Sequence, residues 1–253
     1  SGLALLMDIY HPEKPNGYGL VHVSGSGYSA PLSLDARPLK ASVHVKREGL
    51  RLVKEGYTLF TVNHRATPRF QYPAPVEDVQ RAVRFIRYHA EEYGINPDRI
   101  GAIGGSSGGH LVSMLGVLDG KGDPDDESPI NRLSAKVQCV VARATPASFL
   151  SGRPSAFLGV SLGRKTSKQS IEYKRAVEAS PVTHVTTDDS PFFLVHGDSD
   201  SNRSVFATAA YPTALPWARE AGDDVLGKLL TACDLHGFEV HVGIFEDAAF
   251  FHH

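Results

Sequence analysis

Arg99-Ile100-Gly101-Ala102-Ile103-Gly104-Gly105-Ser106-Ser107-Gly108-Gly109-His110-Leu111 is the stretch that decides the fold. An apolar strand, Arg99 to Ile103, runs into a glycine-rich turn and then into a helical run, His110 to Leu118. A G-x-S-x-G pentapeptide acquires meaning in that strand, turn, helix context, because a serine held on a sharp bend is pushed out at the end of a sheet. Its neighbours two positions away must lack side chains so that strand and helix can approach. Two frames fit the pattern, one centred on Ser106 and one on Ser107. The last clearly apolar residue is Ile103, and a turn at Ser106 leaves Gly108-Gly109-His110-Leu111 to begin the helix, so Ser106 is the predicted nucleophile. The backbone N–H of Ser107 then lies at a helix N-terminus, where donor groups and the macrodipole stabilise an oxyanion. A phosphate-binding turn is the competing reading, but G-x-G-x-x-G is absent and no acidic ribose partner is evident.

Working outward, short apolar runs alternate with longer helical stretches, the pattern of βαβ units and a mostly parallel sheet. The predicted strands are Leu20 to Val23, Thr58 to Val62, Ile100 to Ile103, Val137 to Ala142, Phe192 to Val195 and Glu239 to Phe245. Several lack strict alternation, as strands covered on both faces should. After Pro75, Val76, Val79, Val83, Ile86, Ala90 and Tyr93 recur at steps of three and four, an apolar stripe ended by Gly94. Residues 119–134 read as a polar surface loop. Residues 145–181 read as an irregular insertion with short helices, a small cap over a pocket. The whole chain, 1–253, is expected to form one domain, a length at which α/β folds commonly stay undivided.

Bulk properties narrow the function. The 26 basic residues nearly cancel the 28 acidic ones, and no Lys/Arg cluster stands out, so neither nucleic acid nor an anionic membrane surface is an expected partner. A small, roughly neutral substrate is favoured. The apolar opening Leu3 to Met7 stops at Asp8, too soon for a signal-peptide core, and no run spans a bilayer. A soluble chain is expected, the cytoplasm slightly favoured over export, which the start at Ser1-Gly2 leaves open. Cys139 and Cys233 make neither a disulfide framework nor a metal pattern and read as packing residues. The scattered histidines form no ligand spacing, so no catalytic metal is expected. His110 is expected to pack behind the turn, and Arg65 and Asp78 to be structural polar partners.

Four segments resemble the acetyl-esterase and carboxylesterase group of α/β-hydrolases, near the hormone-sensitive-lipase-like and acetyl-xylan-esterase-like enzymes. Val21-His22-Val23-Ser24-Gly25-Ser26-Gly27-Tyr28 occupies the place of that family's H-G-G-G-W loop. Val62-Asn63-His64-Arg65 followed by Tyr72-Pro73-Ala74-Pro75-Val76-Glu77-Asp78 is similar to D-Y-R…P-x-P-x-x-D. Tyr93 to Ile100 with the glycine-rich turn and Gly109-His110-Leu111 is the best match, and Phe193-Leu194-Val195-His196-Gly197-Asp198-Ser199-Asp200 resembles H-G-x-x-D. The resemblance covers most of residues 5–200 and implies an α/β-hydrolase fold. It also implies oxyanion donors from the backbone N–H groups of Ser26 and Gly27 together with Ser107. Ser24 stands where the family has His, and Ser26 where it has Gly.

A serine hydroxyl is a poor nucleophile until a histidine accepts its proton and a third group orients the imidazole. In this fold the order is Ser, Asp, His. Asp200 is the predicted acid at the H-G-x-x-D position, with Asp198 its rival. For the base, the family's G-x-x-H ending is missing after Glu239 to Phe245, and His252 is the nearest histidine beyond that strand, with His253 and His236 as alternatives. The expected function is a serine esterase of short-chain carboxylic esters, with acetylated carbohydrates as candidates, working through an acyl-enzyme without a cofactor. An exopeptidase or amidase of the same fold, or a catalytically degenerate binding protein, is the alternative. Beyond the small-molecule ester, a homodimer is the one partnership left open.

Overall fold

A six-stranded sheet carries the molecule, with strands in the order β1-β3-β2-β4-β5-β6. The computed structural model describes residues 5–30, 37–150, 155–163 and 166–195, apart from the side chains of 47 and 48. The strands are β1 (Met7–Tyr10), β2 (Gly19–Val23), β3 (Thr58–Val62), β4 (Ile100–Gly105), β5 (Cys139–Arg143) and β6 (Phe192–Val195). Neighbours pair in parallel except β1, which runs antiparallel along β3. The strand predicted at Glu239 to Phe245 lies outside the described residues.

Both faces of the central strands are covered, which explains their unbroken apolar runs. Every residue of β2 and β3 is buried. Val21, Val23, Phe60, Val62, Ala102, Val140 and Ala142 share the larger core with two helices, α2 (Ala74–Tyr88) and α3 (Ser107–Val117). Leu20, Leu59 and Ile103 join Val45 on the other face, beside Leu50 and Val53 of the short helix α1 (Leu50–Lys54). In α2, Val76, Val79, Val83 and Ile86 are buried, the stripe predicted from their spacing. Pro75 sits in its first turn, where a missing N–H breaks no helical bond. Regular helix stops at Tyr88, and turns lead to Gly94 at φ 66°.

The opposite edge of α2 is basic, and it pins the polar segment that follows α3. Arg84 Nε donates to Leu133 O at 2.9 Å, and Arg87 Nη2 to Lys136 O at 2.8 Å. Within residues 145–181, a helix α4 (Ile171–Glu178) begins at Ser170, whose Oγ accepts from Tyr173 N and caps it. Phe149, Phe157, Ala176 and Ala179 from this stretch enter the same buried core as β2 and α3.

Candidate active site

Register brings the site together. Val23 pairs with Gly104 and Gly105 with Arg143, so the chain leaving β2, β4 and β5 emerges side by side at one edge of the sheet. This edge lies outside the carboxyl ends of the parallel strands, where the chain crosses from β3 over β2 to β4, the switch point at which open α/β sheets hold their ligands.

Ser106 is the single residue between β4 and α3 and has φ 53°, ψ −123°. A non-glycine residue held there costs roughly 1–2 kcal/mol. Its backbone is satisfied, since Ser106 N donates to Arg143 O at 2.8 Å and Ser106 O accepts from His110 N at 3.0 Å. A serine in this N-cap position ordinarily turns its hydroxyl back onto the first helical N–H groups, for about 1 kcal/mol. Ser106 makes no such bond and is partly exposed, so its Oγ is kept clear of the helix. Ser107, the other candidate in the pentapeptide, is the first helical residue and only 1% exposed. The bend therefore falls at Ser106.

The glycines work by absence. A Cβ on Gly104 would meet Gly108 O at 2.5 Å, and one on Gly108 would meet Val23 O at 2.1 Å. Strand, helix and the neighbouring strand thus touch backbone to backbone. Gly25 does the same for the loop after β2: its Cβ would stand 2.6 Å from Gly105 O and 3.2 Å from Ser106 Cβ.

That loop carries the other predicted donors. Gly27 is exposed, with φ 62°, and Tyr28 follows at φ 61°. The Ser26 N–H donates to Ser107 Oγ at 2.9 Å, an engagement that no sequence pattern announces. As the first helical residue, Ser107 has no intrahelical acceptor for its own N–H. Ser106, Ser107, Ser26 and Gly27 are therefore assembled at one edge. Asp200, Asp198, His252, His253 and His236 lie outside the described residues; β6 ends at Val195, in register with Arg143, five positions before Asp200.

The described histidines at this edge are neutral and packed. His110 is fully buried behind the bend, donates from Nε2 to Ala179 O at 2.7 Å, and is pushed down to about 4 by desolvation, against that hydrogen bond. It packs edge-on against Tyr28, Phe149 and Phe157. His22, on β2, is also pushed down to about 4, by burial and then by the charge of Arg143. Burial lowers His64 as well, although Nδ1 donates to Arg65 O at 2.7 Å and Asp78 is near. Arg65 and Asp78 form a bidentate pair: Arg65 N and Nε donate to Asp78 Oδ2 at 2.6 and 2.9 Å, and Nε to Oδ1 at 2.9 Å. Desolvation raises the Cys139 thiol to about 11, the behaviour of a packing residue.

The mostly parallel sheet, the bend at Ser106 and the backbone contacts its glycines allow are those of the α/β-hydrolase fold. The chain belongs to the BD-FAE family, whose model matches residues 7–208. It is 33% identical over 154 residues to the "Probable carboxylic ester hydrolase LipM" of Mycobacterium tuberculosis, covering 59% of this chain and 35% of that protein. It is 35% identical over 112 residues to an acetylxylan esterase of Xylanibacter ruminicola, covering 44% of this chain and 22% of that one. Among solved structures, an acetyl ester-xyloside bifunctional hydrolase from Caldicellulosiruptor lactoaceticus superposes with a TM-score of 0.63 at 26% identity, over 92% of this chain and 74% of its own. The chain spans less than half the length of the curated relatives it matches. No helix among the described residues is long and apolar enough to cross a membrane.

Proposed function

We propose that the protein is a serine esterase that hydrolyses short-chain carboxylic esters, with acetyl esters of carbohydrates as its natural substrate class. The observation that carries this reading is Ser106 itself: a strained residue at φ 53° whose hydroxyl forgoes a helix-capping bond and stays partly exposed. Relatives named for carboxylic ester and acetylxylan hydrolysis support the chemistry and the substrate class.

In the proposed reaction Ser106 Oγ attacks the ester carbonyl carbon while His252 takes its proton and Asp200 orients the imidazole. Negative charge develops on the carbonyl oxygen and is met by backbone N–H groups of Gly27 and Ser107, with Ser26 beside them. The tetrahedral intermediate collapses, the alcohol leaves with the proton from His252, and an acyl-serine remains. Water, deprotonated by the same histidine, attacks that acyl group, and the carboxylic acid departs as Ser106 recovers its proton. No cofactor enters this cycle.

The test is hydrolysis of p-nitrophenyl acetate and butyrate by wild type and Ser106→Ala. Loss of the nucleophile should lower kcat by several orders of magnitude, and equal turnover by the two proteins would overturn the assignment. Release of acetate from acetylated xylan then tests the substrate class; activity on p-nitrophenyl acetate with none on acetylated xylan would remove the carbohydrate part.

A further inference from the structure

The loop Ser24 to Tyr28 is tied at both ends. Ser24 Oγ and Ser42 Oγ share a hydrogen bond at 2.7 Å, and Tyr28 O accepts from Thr67 N at 2.8 Å and Thr67 Oγ1 at 3.1 Å. Between these anchors Gly25 lies against Gly105 O, and the Ser26 peptide meets the bend through one polar contact, the bond from Ser26 N to Ser107 Oγ at 2.9 Å. The acceptor is well chosen. Ser107 is 1% exposed and is the first residue of α3, so its oxygen is as fixed as the bend. The side-chain hydroxyl of Ser26 is buried with no partner among the described residues, so it supplies no second tie.

We propose that the Ser107 side chain is a positioning residue for oxyanion stabilisation: its hydroxyl holds the Ser26 peptide so that the Gly27 and Ser107 N–H groups converge beside Ser106 Oγ. The proposal rests on the esterase reading and deepens it. The Ser26 N–H, predicted as an oxyanion donor, instead fastens the loop that presents the next donor. Preorganisation of this kind acts on the transition state, where charge has developed, more than on substrate binding. Ser107→Ala keeps the Ser107 backbone N–H and removes the tie. The opposite possibility is that Ser107 Oγ merely occupies a donor the oxyanion needs, in which case its removal would raise kcat.

The experiment compares wild type, Ser107→Ala and Ser107→Thr, with fluorophosphonate titration counting functional serines and p-nitrophenyl acetate turnover referred to each titrated site. Ser107→Ala should lower kcat per site about 10-fold, leave KM within about 2-fold, and slow phosphonylation by a similar factor to kcat. A purely structural role would reduce the number of titrated sites or the melting temperature and leave kcat per site alone. Ser107→Thr, which keeps the hydroxyl, should recover most of kcat; if its extra methyl prevents folding, the alanine variant decides the matter. Unchanged or higher kcat per site in Ser107→Ala overturns the proposal while the esterase reading stands. Wild type that fluorophosphonate does not label removes both.

Discussion

Gly108→Ala isolates backbone packing as the reason for the glycines around the bend. Gly108 lies in α3 with ordinary helical angles, so alanine meets no dihedral strain there and by helix propensity alone would gain about 1 kcal/mol. The geometry says otherwise. An added Cβ would stand 2.1 Å from Val23 O, 2.8 Å from Val23 C and 2.9 Å from Ser24 C. Carbon and carbonyl oxygen ordinarily approach to about 3.3 Å, so strand or helix must retreat by about 1 Å. Overpacking costs roughly 1–3 kcal/mol when side chains yield, and here only backbone can yield, so the upper end, about 3 kcal/mol net, is expected. For a chain of 253 residues that is a fall in Tm of about 10 °C. Gly17→Ala is the control: Gly17 has φ 80° and nothing within 4 Å of an added Cβ, so only left-handed strain of about 1 kcal/mol applies. Thermal melting followed by circular dichroism ranks the two. Because Ser24 follows Val23, turnover per folded molecule should also fall in Gly108→Ala. Equal melting temperatures for the two variants would refute the packing argument.

Other consequences are equally direct. Ser106→Gly and Ser106→Ala should both be inactive, but glycine relieves the φ 53° strain that alanine retains, so the glycine variant should be more stable by about 0.5–1 kcal/mol; a more stable alanine variant would contradict a strained bend. His22 and His110 have folded values near 4 against 6.5 when unfolded, so the unfolded chain takes up protons first and stability falls as pH drops from about 6.5 to 4. Each contributes about 3 kcal/mol over that window, and His110→Gln should show a shallower loss of Tm on acidification than wild type; parallel curves would sink this account. Asp78→Ala leaves Arg65 N and Nε without their acceptor while Nη2 keeps Glu77, and since Arg65 is partly exposed the loss should be about 2 kcal/mol by urea unfolding, against no change if the pair is ornamental.

Much of this fold was written locally. Thr58–Val62 and Phe192–Val195 occur as predicted: the first is buried along its whole length, as its unbroken apolar run requires, and the second is partly buried but carries the same continuous apolar signal. The α2 stripe was legible for the same reason, one helical face being continuous in sequence. Met7–Tyr10 was missed: it is a four-residue edge strand, half-buried throughout, and only its pairing with β3 makes it a strand. At the site, the end of the apolar run at Ile103 and the helix start from Gly108 were enough to put the bend at Ser106, where the structure has it, with Ser107 buried as the first helical residue. The bond from Ser26 to Ser107 joins positions 81 residues apart, and no local pattern announces such a contact.

The most direct measurement is intact-protein mass spectrometry after fluorophosphonate treatment, with peptide mapping of the adduct. A serine activated for attack on an ester carbonyl reacts with this reagent, and an ordinary serine does not. One adduct per chain, on Ser106 and absent from Ser106→Ala, is the predicted result. An unmodified chain, or an adduct carried by Ser107 or any other residue, would contradict it.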